Sequence, residues 1–125
     1  MQLTVTVAEK KPGIFMVLPV GSISADTCGL LEEKVDSILQ GAVKTLIVDM
    51  EGVNYLSSAG IRVIFMAQKA MKQKDGQFLM TNLQPQVKKV FEIFNALPML
   101  KVFSSVQELD RYLDQMQRRV IEEAD

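Results

Sequence analysis

Apolar positions along the chain recur first every second residue and then at helical spacing, with turn residues where the period changes. Leu3, Val5 and Val7 alternate with Thr4 and Thr6, the pattern of a half-buried strand. Lys11-Pro12-Gly13 is a turn signal, and the dense apolar run Ile14 to Val20, ending at Gly21, predicts a second strand antiparallel to the first. Ser24 to Gln40 predicts a helix: Leu30, Leu31, Val35, Ile38 and Leu39 share one stripe, Glu32, Glu33 and Asp36 fall outside it, and Gly41 stops it. Thr45 to Met50 is a short run suited to a strand covered on both faces.

A second helix follows Ser57-Ser58-Ala59-Gly60 and runs to about Lys74. Ile64, Ala67 and Met71 share its apolar face, flanked by Gly60, Val63 and Ala70; Arg62, Lys69 and Gln73 lie opposite, with Met66 among them. Asp75-Gly76 turns the chain into a strand at Phe78 to Met80. Gln84-Pro85 opens a third helix, where the missing proline N–H costs nothing, and Val87, Val90, Phe91 and Phe94 form its stripe up to Pro98. Leu100 to Phe103 predicts a short strand, and Ser104 with Gln107 a capping box for a last helix carrying Val106, Leu109, Leu113 and Met116. The charged end, residues 117–125, is expected to fray. The order is β-β-α-β-α-β-α-β-α: a single α/β domain over residues 1–125, with a mixed sheet packed by helices and right-handed crossovers.

Charge adds exclusions. With 14 basic and 15 acidic residues the net charge is −1, which leaves no footprint for nucleic acid or an anionic membrane surface. The pairs Lys10–Lys11, Lys88–Lys89 and Arg118–Arg119 read as solvated faces. The N-terminus lacks the basic and apolar regions of a signal peptide, and no apolar run reaches the ~18 residues of a membrane span, so a cytoplasmic protein is expected. The single cysteine, Cys28, rules out an intrachain disulfide and reads as a core thiol. Histidine is absent, which disfavours hydrolytic triads and ordinary zinc sites; no metal, cofactor or catalytic set is expected. Neither a GxGxxG nor a GxxxxGK[ST] loop is present.

The chemistry concentrates in VDMEGVNYLSSAGIRVIF, from Val48 to Phe65. A strand ends near Asp49, and a short connection delivers two serines to the start of a helix among small residues that another protein could approach closely. The unpaired N–H groups and partial positive charge of that helix end favour an anion. A serine there serves as an ordinary N-cap or as a regulatory phosphosite, and the pattern alone leaves both open.

The stretch VDMEGVNYLSSAGIRV resembles the STAS family, named for sulfate transporters and anti-sigma-factor antagonists. The resemblance covers essentially residues 3 to 116 and includes Gly21-Ser22-Ile23 and Asn82-Leu83-Gln84-Pro85-Gln86-Val87 before a Phe-rich helix. It implies an antagonist-type binding protein, not an enzyme. Ser58 would be phosphorylated by a partner anti-sigma factor with serine kinase activity, and a metal-dependent serine phosphatase would reset it. The unphosphorylated form would bind the anti-sigma factor and release the sigma factor. The partner-binding set implied is Ser24, Ser57, Ser58, Ala59, Gly60, Arg62 and Met66. Two positions depart from the family pattern: Ser57 and Ser24 stand where carboxylates are usual, which removes negative charge near the site. Arg62 reads equally as solvated, and Met66 equally as a core edge.

Three rivals stand beside this reading. Asp49 could be the acceptor of a receiver-like phosphoaspartate domain, although the first strand ends Val7-Ala8-Glu9-Lys10 without an acidic pair to hold magnesium. The same fold could serve unphosphorylated in a lipid-transport complex or a stress-signalling scaffold. A small enzyme is the third, and it lacks a recognisable nucleophile–base pair or nucleotide loop.

Overall fold

The computed structural model describes residues 2–96 and 106–123. Strand β1 (Leu3–Lys11) pairs antiparallel with β2 (Ile14–Ile23), as the alternation and the Lys11–Gly13 turn require. Gly13 turns the corner at φ 83°, and its N–H donates to the Glu9 carboxylate at 3.1 Å. β2 is the spine of the sheet. Strand β3 (Thr45–Asp49) runs parallel along Ile14–Val17, and β4 (Val53–Leu56) runs parallel along Gly21–Ile23. β3 and β4 therefore lie end to end on the same side of β2. Strand β5 (Gln77–Thr81) lies parallel on the outer side of β3.

Helix α1 (Cys28–Leu39) packs on β1 and β2, and α2 (Ser58–Gln73) on α1 and β5. Helix α3 (Pro85–Ala96) packs on β4, and α4 (Val106–Glu123) on α3 and α2. One continuous core joins Val17, Leu46 and Val48 of the sheet to Leu31, Val35, Ile64, Met71, Val90 and Leu113 of the helices. On the opposite sheet face the row Met16, Ile47 and Leu79 stays half-buried or exposed. Cys28 is half-buried against the core.

The sequence pattern omits β4. It has four residues, of which only Val53 and Leu56 are buried, and it follows β3 after three residues without a helical crossover. Such a strand is too short to show a period; it exists because β2, at ten residues, offers more ladder than the five residues of β3 can fill. The first helix is also shorter than its pattern. Residues 24–27 form a turn in which the Thr27 hydroxyl donates to the Ser22 carbonyl at 2.7 Å and accepts the Ser24 N–H at 2.9 Å. The Pro98 stop, the Leu100–Phe103 strand and the Ser104 end of the capping box lie outside the described residues.

The charged C-terminal stretch continues α4 to Glu123, and its first residue, Gln117, is only 1% exposed. The Gln117 carboxamide accepts the Leu56 N–H at 2.9 Å and donates to the Leu56 carbonyl at 2.9 Å. Replacing it by leucine keeps most of the volume but strands both groups of Leu56 in the core. Gln117→Leu should lower stability by about 2 to 6 kcal/mol in urea unfolding, since each of the two orphaned buried groups costs about 1 to 3 kcal/mol. An unchanged midpoint would show that β4 does not rely on this contact.

Candidate functional site

The parallel pairing of β2 and β4 brings Ile23 beside Leu56, and the Ser57 N–H donates to the Ile23 carbonyl at 2.9 Å. Ser24 and the Ser57–Ser58 pair thus leave the sheet side by side at the C-terminal ends of two parallel strands, where α/β sheets place their sites. Ser57 is the N-cap of α2: it is extended (φ −90°, ψ 172°), and its hydroxyl accepts the Gly60 N–H at 3.2 Å. Capping is therefore done by the first serine, and the second is released from it. Ser58 occupies the first turn of α2, half-buried.

Ser58 Oγ–H donates to Asp110 Oδ1 of α4 at 2.6 Å, and the Ser58 N–H reaches the same oxygen at 3.3 Å. A carboxylate near the positive end of α2 is a favourable arrangement. The sequence reading expects negative charge to be missing here because Ser57 and Ser24 are neutral; the structure supplies a carboxylate from a distant helix instead.

The remaining residues divide by exposure. Ser24, Ser57 and Gly60 are buried, so they shape the surface from beneath. A Cβ at Gly60 would come within 2.6 Å of Ile23 Cγ2 and 2.7 Å of Leu56 Cδ1, which explains a residue without a side chain where α2 crosses the strand ends. Ala59 is half-buried, and Arg62 and Met66 are exposed. Ser58, Arg62 and Met66 are spaced by four and lie along one ridge of α2. Met66 is 51% exposed, an apolar side chain on the surface rather than at a core edge.

A set of amide side chains holds the loop below. Asp49 Oδ1 accepts the Glu51 N–H at 3.0 Å and Asn82 Nδ2 at 3.2 Å, a strand-end capping role. Gln84 donates to the Glu51 carbonyl at 2.7 Å, and Gln86 to the Asn54 carbonyl at 3.1 Å. The Asn82–Gln86 stretch is thereby accounted for as a staple on the segment leading to Ser57.

Sequence reasoning passed over Asp110 and Gln117. Gln117 does carry a signal: it is a polar residue four positions beyond the buried Leu113, on the apolar side of the last helix. Asp110 carries none, because an acid in the opening turns of a helix is ordinary.

Comparison with known proteins agrees with this fold. A family model described as the STAS domain matches residues 6–109. The chain is 28% identical over 105 residues to the putative anti-sigma factor antagonist BtrV of Bordetella bronchiseptica, covering 84% of this chain and 88% of that protein. It is 27% identical over 75 residues to an anti-sigma F factor antagonist of Lysinibacillus sphaericus, covering 60% of this chain and 64% of that one. Among solved structures, unphosphorylated SpoIIAA superposes with a TM-score of 0.67 at 19% identity, over 74% of this chain and 81% of that one. The phosphorylated form of SpoIIAA from Bacillus gives 0.64 at 20% identity, over 75% and 85% of the two chains.

Tyr55, on β4 beside the site, reports on the local charge. Burial holds its phenol above the usual value of about 10, and the Asp114 and Asp110 carboxylates push it further up while Arg118 draws it back. A phenol raised in the folded chain contributes stability that is intact below pH ~10 and is lost as pH climbs through the folded value. Asp110→Asn should shift the Tyr55 titration back toward normal, read by NMR of ring-labelled tyrosine. An unmoved curve would place Asp110 away from this cluster.

Proposed function

The chain belongs to the STAS-domain family, and from that premise we propose that it is an anti-sigma-factor antagonist switched by phosphorylation of Ser58. Its partner would be an anti-sigma factor that is also a serine kinase, and a serine phosphatase would restore the unmodified form. The chain itself would bind rather than catalyse. The observation that carries the reading is the division of labour between the serines: Ser57 caps α2, and Ser58, at the helix start, is half-buried and not sealed in the core. The names of the relatives at 28% and 27% identity point to the same class of partner.

In the proposed transfer the nucleotide and the catalytic groups belong to the kinase. Ser58 Oγ forms a bond to the γ-phosphorus of ATP, the bond to the bridging oxygen breaks, ADP leaves with that electron pair, and the hydroxyl proton passes to a base on the kinase. In the resetting step water attacks phosphorus, the bond from phosphorus to Ser58 Oγ breaks, inorganic phosphate is released, and Oγ takes up a proton. Arg62 and Met66 extend the docking ridge from Ser58 along α2, with Ser24, Ser57, Ala59 and Gly60 forming its floor. A phosphate would add about −1.5 to −2 charges to that surface and oppose docking.

Incubation with a kinase-type anti-sigma factor and ATP, followed by phosphopeptide mapping, should locate the modification on Ser58. Ser58→Ala should bind that factor in the presence of ATP without being released, and Ser58→Asp should bind at least about tenfold more weakly, a difference of about 1.4 kcal/mol. Modification at another residue, or equal affinity of the two variants, would sink the proposal. Co-purification from native cells with transporter subunits or a large homologous assembly would favour the unphosphorylated scaffold instead.

A further inference from the structure

The Ser58 hydroxyl is engaged by a residue far away in sequence. Asp110 takes its hydrogen bond at 2.6 Å and stands near its N–H at 3.3 Å. Asp110 is on the same stripe of α4 as Leu113, which is fully buried, and Gln117, which grips both backbone groups of Leu56. The stripe thus touches the segment at both ends, at Leu56 and at Ser58.

The contact at Ser58 depends on a proton. A carboxylate and a hydroxyl attract because the hydroxyl donates; a serine phosphate ester has no hydrogen on Oγ. Modification would leave oxygen facing oxygen and set about −1.5 to −2 charges against the Asp110 carboxylate. The phosphate would also compete for the Ser58 N–H that Asp110 now approaches, at a helix end that favours anions. Asp114, one turn further along α4, is paired with Arg118 at 3.0 Å, so that cation is already engaged. Arg62, one turn along α2 on the same outward ridge as Ser58, would draw the phosphate outward, away from α4.

We propose that Asp110 is a latch holding α4 over unmodified Ser58, and that a phosphate on Ser58 expels Asp110 and loosens α4 from β4. The signal is then displayed by the last helix as well as by the loop. The inference rests on the reading of Ser58 as the modified residue, and its test does not need the kinase.

Phosphoserine is installed at position 58 of the full chain during translation, and amide hydrogen exchange is compared with the unmodified protein. The amides of residues 110–117 and of Leu56 should exchange at least about tenfold faster in the phosphorylated form, the order expected when two anions meet at a half-exposed contact. Asp110→Asn replaces the carboxylate by a group that can donate to phosphate, so its phosphorylated and unmodified forms should agree within about twofold. Ser58→Ala removes the hydrogen bond without adding charge and should raise exchange far less than phosphate does. Equal exchange in the two wild-type forms overturns the latch, as does an acceleration that persists in Asp110→Asn. A kinase that ignores Ser58 would defeat the proposed function and leave this exchange result standing.

Discussion

The carboxamide of Gln117 stands where a neighbouring strand would otherwise lie. β4 is paired on one side to β2, and on the other its polar groups point into protein. Gln117 satisfies the N–H and the carbonyl of Leu56 at 2.9 Å each, and Gln86 takes the Asn54 carbonyl at 3.1 Å. A buried amide left without such partners is expensive, so α3 and α4 are tied to β4 by more than apolar contact. The position of the serine loop, which begins at the end of β4, follows from this pairing.

The loop is built by division of small tasks. Ser57 caps the helix, Gly60 lets the helix pass close to Ile23 and Leu56, and the Asn82–Gln86 amides pin the segment from below. Ser58 is thereby placed at the helix start with its hydroxyl free of capping duty, and Asp110 takes that hydroxyl instead. The residues that surround the site act mainly by fixing its shape; the outward groups are Arg62 and Met66.

Much of the fold was legible because long elements impose their period. The β1–β2 hairpin, the α2 and α3 stripes and the Asp75–Gly76 turn all lie where the spacing of apolar residues puts them. β4 was not legible, since four residues with two buried positions cannot display alternation, and its partner was fixed by the length of β2. The serine pair was readable as chemistry, but which serine caps and which is available depends on the backbone angles at Ser57. Gln117 was hidden by its charged neighbours, which describe the solvent face of α4 while Gln117 faces inward. Asp110 was hidden because its contact spans 52 positions, beyond any local pattern.

The hydrogen bond between Ser58 and Asp110 joins the first turn of one helix to the opening turns of another, and energy shared across such a bond runs in both directions. By reciprocity, whatever free energy a phosphate at Ser58 would take from the seating of α4, the seating of α4 would take from the equilibrium for holding phosphate there. A protein that clasped α4 against β4 would therefore disfavour the phosphorylated form without touching the serine, and one that drew α4 away would favour it. On that linkage the last helix would be an input as much as an output.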